Sequence, residues 1–292
     1  MKILIAGGSG FVGANLAKAL SEKYSLTLLS RTKQNIKGYQ NTIVWQDLNE
    51  YNISNFDIVI NLCGYSIGEK RWNDKVKDKI ISSRIEPTQK LIELIGDKDI
   101  WLINASAIGF YGFSTKPQNE DEYFDNTTEQ GFSQSIVNQW EATVKSSKLQ
   151  KYSILRFGVV IGDGGVLDKM TMTAKLGVLS KFGNGEQLMS WISIHDLVKA
   201  FEFVIENNHS KYQTFNLTAP NATSNSDMIK VIKQLTKAKL VMPMPEIMIK
   251  LMFGQMGEEL LLSSQNIKPK RLLGNGFRFD DDNIEKALER YL

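Results

Sequence analysis

The sequence predicts an α/β fold, a doubly wound parallel sheet with a smaller C-terminal substrate lobe, and three observations predict it. Strand-length apolar runs alternate with helical periodicity through residue 157, the first run enters a helix through a glycine turn, and glycine-rich turns break the alternation beyond residue 162. Residues 2–6 are apolar after Lys2 and suit a buried parallel strand. Phe11, Leu16, Ala19 and Leu20 then recur near helical spacing. Residues 26–29, 42–45 and 57–62 read as the second, third and fourth strands. A long helix over about 74–95, a fifth strand over 100–105, a helix over 137–144 and a sixth strand over 153–157 continue the alternation. Past Gly162, Gly164, Gly165, Gly177, Gly183 and Gly185 the pattern loosens, although 195–206 still reads as a helix and 214–217 as a strand returning to the sheet.

The first strand and helix are joined by Gly7-Gly8-Ser9-Gly10-Phe11-Val12-Gly13, which carries overlapping GxxGxxG and GxGxxG spacings. Gly7 permits the tight turn, Gly10 lets the backbone approach a pyrophosphate, and Gly13 lets the helix pack closely on its strand. The helix N-terminus, opening at Phe11 and Val12, offers unpaired N–H groups and a positive dipole end to phosphates. A turn that binds nothing is the competing reading. The preceding strand and following helix favour a dinucleotide cradle, so the fold expected is Rossmann-like. Its dinucleotide-binding domain spans 1–162, with returning elements at about 189–219, and residues 163–188 and 220–292 form a small substrate or partner lobe.

The second strand ends at Leu28-Leu29-Ser30-Arg31, where NAD-binding chains commonly present an acid to the ribose 2′-hydroxyl. No Asp or Glu occurs from residue 27 to 37. Arg31, helped by Lys33, instead suits a 2′-phosphate, to which a guanidinium makes charge-assisted bonds. NADP(H) is therefore the expected cofactor, held by the glycine turn with Ser30 and Arg31.

Composition bounds the alternatives. With 42% hydrophobic and 23% charged residues among 292, disorder is not expected, and a formal charge of +3 is too near balance to imply nucleic acid. Lys75, Lys77 and Lys79 interleave with Asp74 and Asp78, as on a solvated helix face. The single cysteine, Cys63, excludes an intramolecular disulfide and a paired-cysteine metal site, and no metal centre is expected. An N-terminus that opens directly on a strand, with no apolar run of bilayer length, leads to the expectation of a cytoplasmic protein with no membrane partner.

Further motifs carry a resemblance: Asn61-Leu62-Cys63-Gly64, Arg71-Trp72, Ser83-Arg84, Asn104-Ala105-Ser106-Ala107, Tyr111-Gly112, Trp140-Glu141, Leu155-Arg156, Met189-Ser190-Trp191-Ile192, and Pro269-Lys270-Arg271-Leu272-Leu273 with Gly276-Phe277. On these the chain resembles, over nearly its whole length, the extended short-chain dehydrogenases/reductases. Within them it is similar to the epimerase-family proteins also labelled cell-division-inhibitor-like. The resemblance implies that Asp47 and Leu48 border the adenine and that Asn61, Leu62, Cys63 and Gly64 run past the cofactor's ribose and diphosphate. It also implies a homodimer, paired through helices that include the segment around Val137, or a regulatory protein partner.

Hydride chemistry in that superfamily normally uses a Ser or Thr after the fifth strand and a Tyr-x-x-x-Lys helix, whose lysine lowers the tyrosine pKa. None of the nine tyrosines here has a lysine four residues later. The family position, about twenty residues after Tyr111-Gly112, falls on Phe132-Ser133-Gln134-Ser135-Ile136. Ser106 and Tyr111 are the nearest replacements for proton transfer, although Ser106 lies five residues before Tyr111 where relatives often place it four before. Two readings stay open: an oxidoreductase or epimerase-like enzyme acting on an unidentified small molecule, and a catalytically impaired NADP-sensing protein that regulates a partner, as in cell division. His195 and His209 are discounted, since Ser193 or Asp196 suits an N-cap and makes the first a capped helix start. Met244, Met248, Met252 and Met256, four residues apart, are read first as core packing and second as an adaptable wall for an apolar ligand or partner.

Overall fold

The computed structural model describes residues 1–122, 130–207 and 214–292. Seven strands build one parallel sheet: β1 (Lys2–Ala6), β2 (Ser25–Ser30), β3 (Asn41–Val44), β4 (Ile58–Asn61), β5 (Trp101–Ala107), β6 (Tyr152–Phe157) and β7 (Thr214–Leu217). Their spatial order is β7-β6-β5-β4-β1-β2-β3. The chain therefore reverses direction across the sheet between β1 and β4, and such a switch point leaves a crevice outside the strands' carboxyl ends. Ala6 is in register with Leu29 on one side and Asn61 on the other, so the ends of β1, β2 and β4 converge there.

Burial explains the strand composition. Ile3, Leu4, Ile5 and Ala6 are fully buried because helices cover both faces of the sheet. On one face α1 (Phe11–Leu20) and α4 (Ile194–Asn207) pack Leu16, Leu20, Leu197 and Phe201 against the sheet. On the other, α2 (Asp74–Ile95) and α3 (Phe132–Lys145) contribute Leu91, Ile95 and Val144. Asn73 caps α2 by accepting from the Val76 amide at 3.0 Å, and Gly96, at φ 56°, ends it.

The C-terminal region carries its own apolar cluster, in which α5 (Asn225–Thr236) packs Met228 and Ile232 against Leu179, Trp191 and Leu288. Val178–Phe182 pairs with Leu240–Met244 within it, and Gln265–Ile267 clips it to the body by pairing with Ser114–Gln118. The methionine expectation needs correction. Helix α6 (Glu246–Phe253) ends at Gly254, at φ 58°, so Met256 lies on a separate turn and is buried while Met248 and Met252 stay about half exposed. Among the described residues no helix is long and apolar enough to cross a membrane.

Ser193, not Asp196, caps α4, accepting from the Asp196 amide at 3.1 Å. The buried Asp196 carboxylate instead accepts from the Asp280 and Asp281 amides and ties down the C-terminal segment. His195 contacts Asp280 at 2.8 Å, and the Lys199 ammonium occupies the same cluster, 2.6 Å from Asp280. His209 lies outside the described residues.

Candidate cofactor and active site

Gly7 adopts φ 74°, and a Cβ there would lie 2.8 Å from the Leu62 backbone, so the turn is pressed against the end of β4. At Gly13 a Cβ would come within 2.4 Å of the Gly8 Cα, which closes the turn against the first turn of α1. Gly10 differs. Among the described residues its Cβ would meet only the Gly7 carbonyl, at 3.4 Å, so the space beyond it is open. Among the described residues no side chain caps α1, and the amides at Phe11 and Val12 open its first turn. An open glycine beside an uncapped helix N-terminus fits a diphosphate, which would supply the missing acceptors.

Ser30 turns inward and donates its hydroxyl to the Thr32 carbonyl, shaping the bend that carries Arg31. Arg31 is exposed, forms no ion pair among the described residues, and lies close enough for its charge to act on Cys63. Burial outweighs that charge and pushes the half-buried thiol up to about 12, so Cys63 is no thiolate nucleophile. Asp47 is exposed beside the turn after β3, whereas Leu48 is packed into the core. The Asn61 side chain is fully spent: it donates to Thr88 and Asn104 at 2.8 and 2.7 Å and accepts from the Cys63 amide. Asn61 therefore shapes the end of β4, leaving Leu62, Cys63 and Gly64 to border the crevice.

Arg84 stands beside Gly64, donating to the Tyr65 and Ile80 carbonyls at 3.0 Å and lying over the Trp140 ring. Burial lowers its titration to about 10.

The two candidate proton donors both end in buried hydrogen bonds. Ser106 and Tyr111 are each 3% exposed. Ser106 donates to Glu141 at 2.7 Å, and Tyr111 donates to Asn216 at 3.0 Å while accepting from Arg156 at 2.8 Å. Glu141 and Arg156 are themselves buried and joined through two bonds of 2.7 and 2.8 Å, with Lys145 on the second carboxylate oxygen. Both hydroxyls thus serve a buried ion network. Burial raises the Tyr111 phenol to about 12, against the pull of Arg156, which opposes proton release.

Burial also penalises charge on Glu141, but Arg156 and Lys145 outweigh it and hold the carboxyl below its ordinary range. Its contribution to stability is present above the unfolded carboxyl pKa and is lost as pH falls through the depressed folded one. Glu141→Ala strands the Arg156 guanidinium and is expected to cost about 3–5 kcal/mol in urea unfolding. A loss under about 1 kcal/mol would show the network to be dispensable.

Phe132 and Ile136 sit on the first turns of α3 in an apolar cluster with Trp72, Ile80 and Met256, and the Phe132 ring meets Trp72 edge-on at 5.0 Å. The start of α3 is capped from far along the chain. Glu259 accepts from the Phe132 and Ser133 amides at 3.0 and 2.8 Å and from the Ser133 hydroxyl at 2.6 Å. Sequence reasoning missed Glu259, and it missed Tyr39, whose hydroxyl reaches the Gly8 and Gly13 carbonyls at 3.1 Å each. Neither carries a local signal, because each acts on a segment distant in the chain.

Residues 3–218, covering the sheet and this crevice, match the NAD dependent epimerase/dehydratase family. The chain belongs to that family. Residues 244–291 match a domain of unknown function, DUF1731. An epimerase family protein of Staphylococcus haemolyticus is 32% identical, over 99% of this chain and 98% of its own length. The structure of the human epimerase family protein SDR39U1 with NADPH is 27% identical and superposes with a TM-score of 0.86, over 99% of this chain and 98% of that one. A nucleoside-diphosphate sugar epimerase from Corynebacterium glutamicum gives 26% identity and a TM-score of 0.76, over 100% of this chain but 58% of that one.

Proposed function

We propose that the protein is an NADP(H)-binding, atypical extended short-chain dehydrogenase/reductase whose proton-transfer groups differ from the Tyr-x-x-x-Lys pair of that superfamily. The observation that carries the reading is the open face of Gly10 beside an uncapped helix N-terminus, with Arg31 exposed at the end of β2. The NADPH in the human relative's structure supports the choice of cofactor. A bound nicotinamide would supply or accept the hydride. This chain's part is to hold it: the Phe11 and Val12 amides toward the diphosphate, across the open face of Gly10, Arg31 toward the 2′-phosphate, and the backbone of Leu62, Cys63 and Gly64 along the ribose.

Arg31→Asp is expected to reverse or erase a preference for NADPH over NADH, because a charge-assisted bond to phosphate is worth about 1.5–3 kcal/mol. Competition binding checks this, and an Arg31→Asp protein that still prefers NADPH would move the 2′-phosphate site elsewhere.

A second reading is an NADP-sensing protein that regulates a partner, in line with the cell-division-inhibitor-like resemblance. It is favoured by the exposed apolar face of α6, where Ile247 and Leu251 are 78% and 77% exposed. Hydride turnover against a panel of carbonyl compounds and sugar nucleotides supports the enzyme. Partner capture that requires NADPH, with no turnover, supports the sensor.

A further inference from the structure

We propose that Tyr39 is a positioning residue that couples the diphosphate turn to the loop carrying Arg31, and so sets NADP(H) selectivity without touching the cofactor. The inference rests on the cofactor reading above. The loop of residues 31–40 leaves the end of β2 at Arg31 and returns to β3 directly after Tyr39 and Gln40. It is closely held along its way back. Gly38 adopts φ 98°, and a Cβ there would come within 2.7 Å of the Ala17 carbonyl, so this stretch lies flat on α1. Gln40 accepts from the Leu26 amide through its side chain and donates its own amide to the Leu26 carbonyl.

From that anchorage the Tyr39 phenol reaches under the glycine turn. Its one proton is shared between the Gly8 and Gly13 carbonyls, which lie on opposite sides of the diphosphate-facing segment. The fit is mutual: a Cβ on Gly8 would fall 2.1 Å from the Tyr39 oxygen, so the phenol fills the space left by the missing side chain. Burial drives the phenol's titration well above its ordinary range, keeping it a neutral donor. Fixing the Gly8 and Gly13 carbonyls holds the peptide units on either side of the segment that carries the Phe11 and Val12 amides, since each peptide unit is rigid. One side chain therefore braces the turn and, through the loop it ends, the bend bearing Arg31. A cofactor that uses both phosphate sites gains more from this than one that uses the turn alone.

Tyr39→Phe keeps the ring and removes the hydroxyl. Calorimetry is expected to show the NADPH dissociation constant rising about 3- to 10-fold, the size of one lost hydrogen bond. The NADH constant should rise less, so that the preference for NADPH narrows while the circular dichroism spectrum is unchanged. Unchanged NADPH affinity overturns the proposal. So do equal losses for the two cofactors, which would make Tyr39 a prop for the turn alone. If Tyr39→Phe does not fold, Gly8→Ala tests the same contact from the opposite side, and it must reproduce the narrowed preference for the proposal to stand. An unmodified protein with no NADPH preference defeats the Arg31 reading itself, and this proposal with it, before any variant is made.

Discussion

Gly10→Val is expected to abolish NADPH binding while leaving the protein folded. Gly10 has φ −76°, which any residue tolerates, and among the described residues its Cβ would meet one atom, the Gly7 carbonyl oxygen at 3.4 Å. The valine side chain therefore has room in the apo protein. That room is the space through which a diphosphate must approach the turn. Calorimetry with NADPH, beside a circular dichroism melt, separates the two effects. Retained affinity in a folded Gly10→Val protein would place the nucleotide elsewhere. Gly7 and Gly13 are poorer test sites, because a side chain at either collides with backbone and threatens the fold itself.

Turnover by ordinary ketoreduction or 4-keto sugar epimerisation is expected to run about 10²- to 10⁴-fold slower than in enzymes with the Tyr-x-x-x-Lys pair, the range that general acid–base catalysis contributes. The physical ground is the apolar cluster around Phe132 and Ile136 and the commitment of Ser106 and Tyr111 to buried partners. Phe132→Tyr with Ile136→Lys is the gain-of-function counterpart. Ile136 is 1% exposed, so a lysine there carries a desolvation cost of several kcal/mol, and a melt must accompany the assay. Fast NADPH-dependent turnover by the unmodified protein, unaltered by Ser106→Ala and Tyr111→Phe, would contradict this account of the chemistry.

Local pattern made the sheet legible. Lys2–Ala6 and Ile58–Asn61 are apolar because the sheet buries them on both sides, and the glycine turn must fall where β1 gives way to α1. Boundaries fixed by distant residues were not legible. The periodicity of α3 suggested 137–144, yet the helix starts at Phe132 because Glu259 satisfies its first amides. The same limit applied within the site. Ser106 and Tyr111 invite a catalytic reading from their position near the end of β5. Their partners Glu141, Arg156 and Asn216 come from α3, β6 and β7, and only the folded chain brings them together. The methionine spacing misled because Gly254 interrupts the helix that a four-residue period assumes.

The most direct test of the central claim, that the glycine turn and Arg31 together form an NADP(H) site, is calorimetric titration of the unmodified protein with NADPH and with NADH. The account predicts that both bind and that NADPH binds about 10-fold or more tightly, the least that one charge-assisted phosphate contact provides. Equal affinities for the two cofactors, or no binding of either, would contradict it.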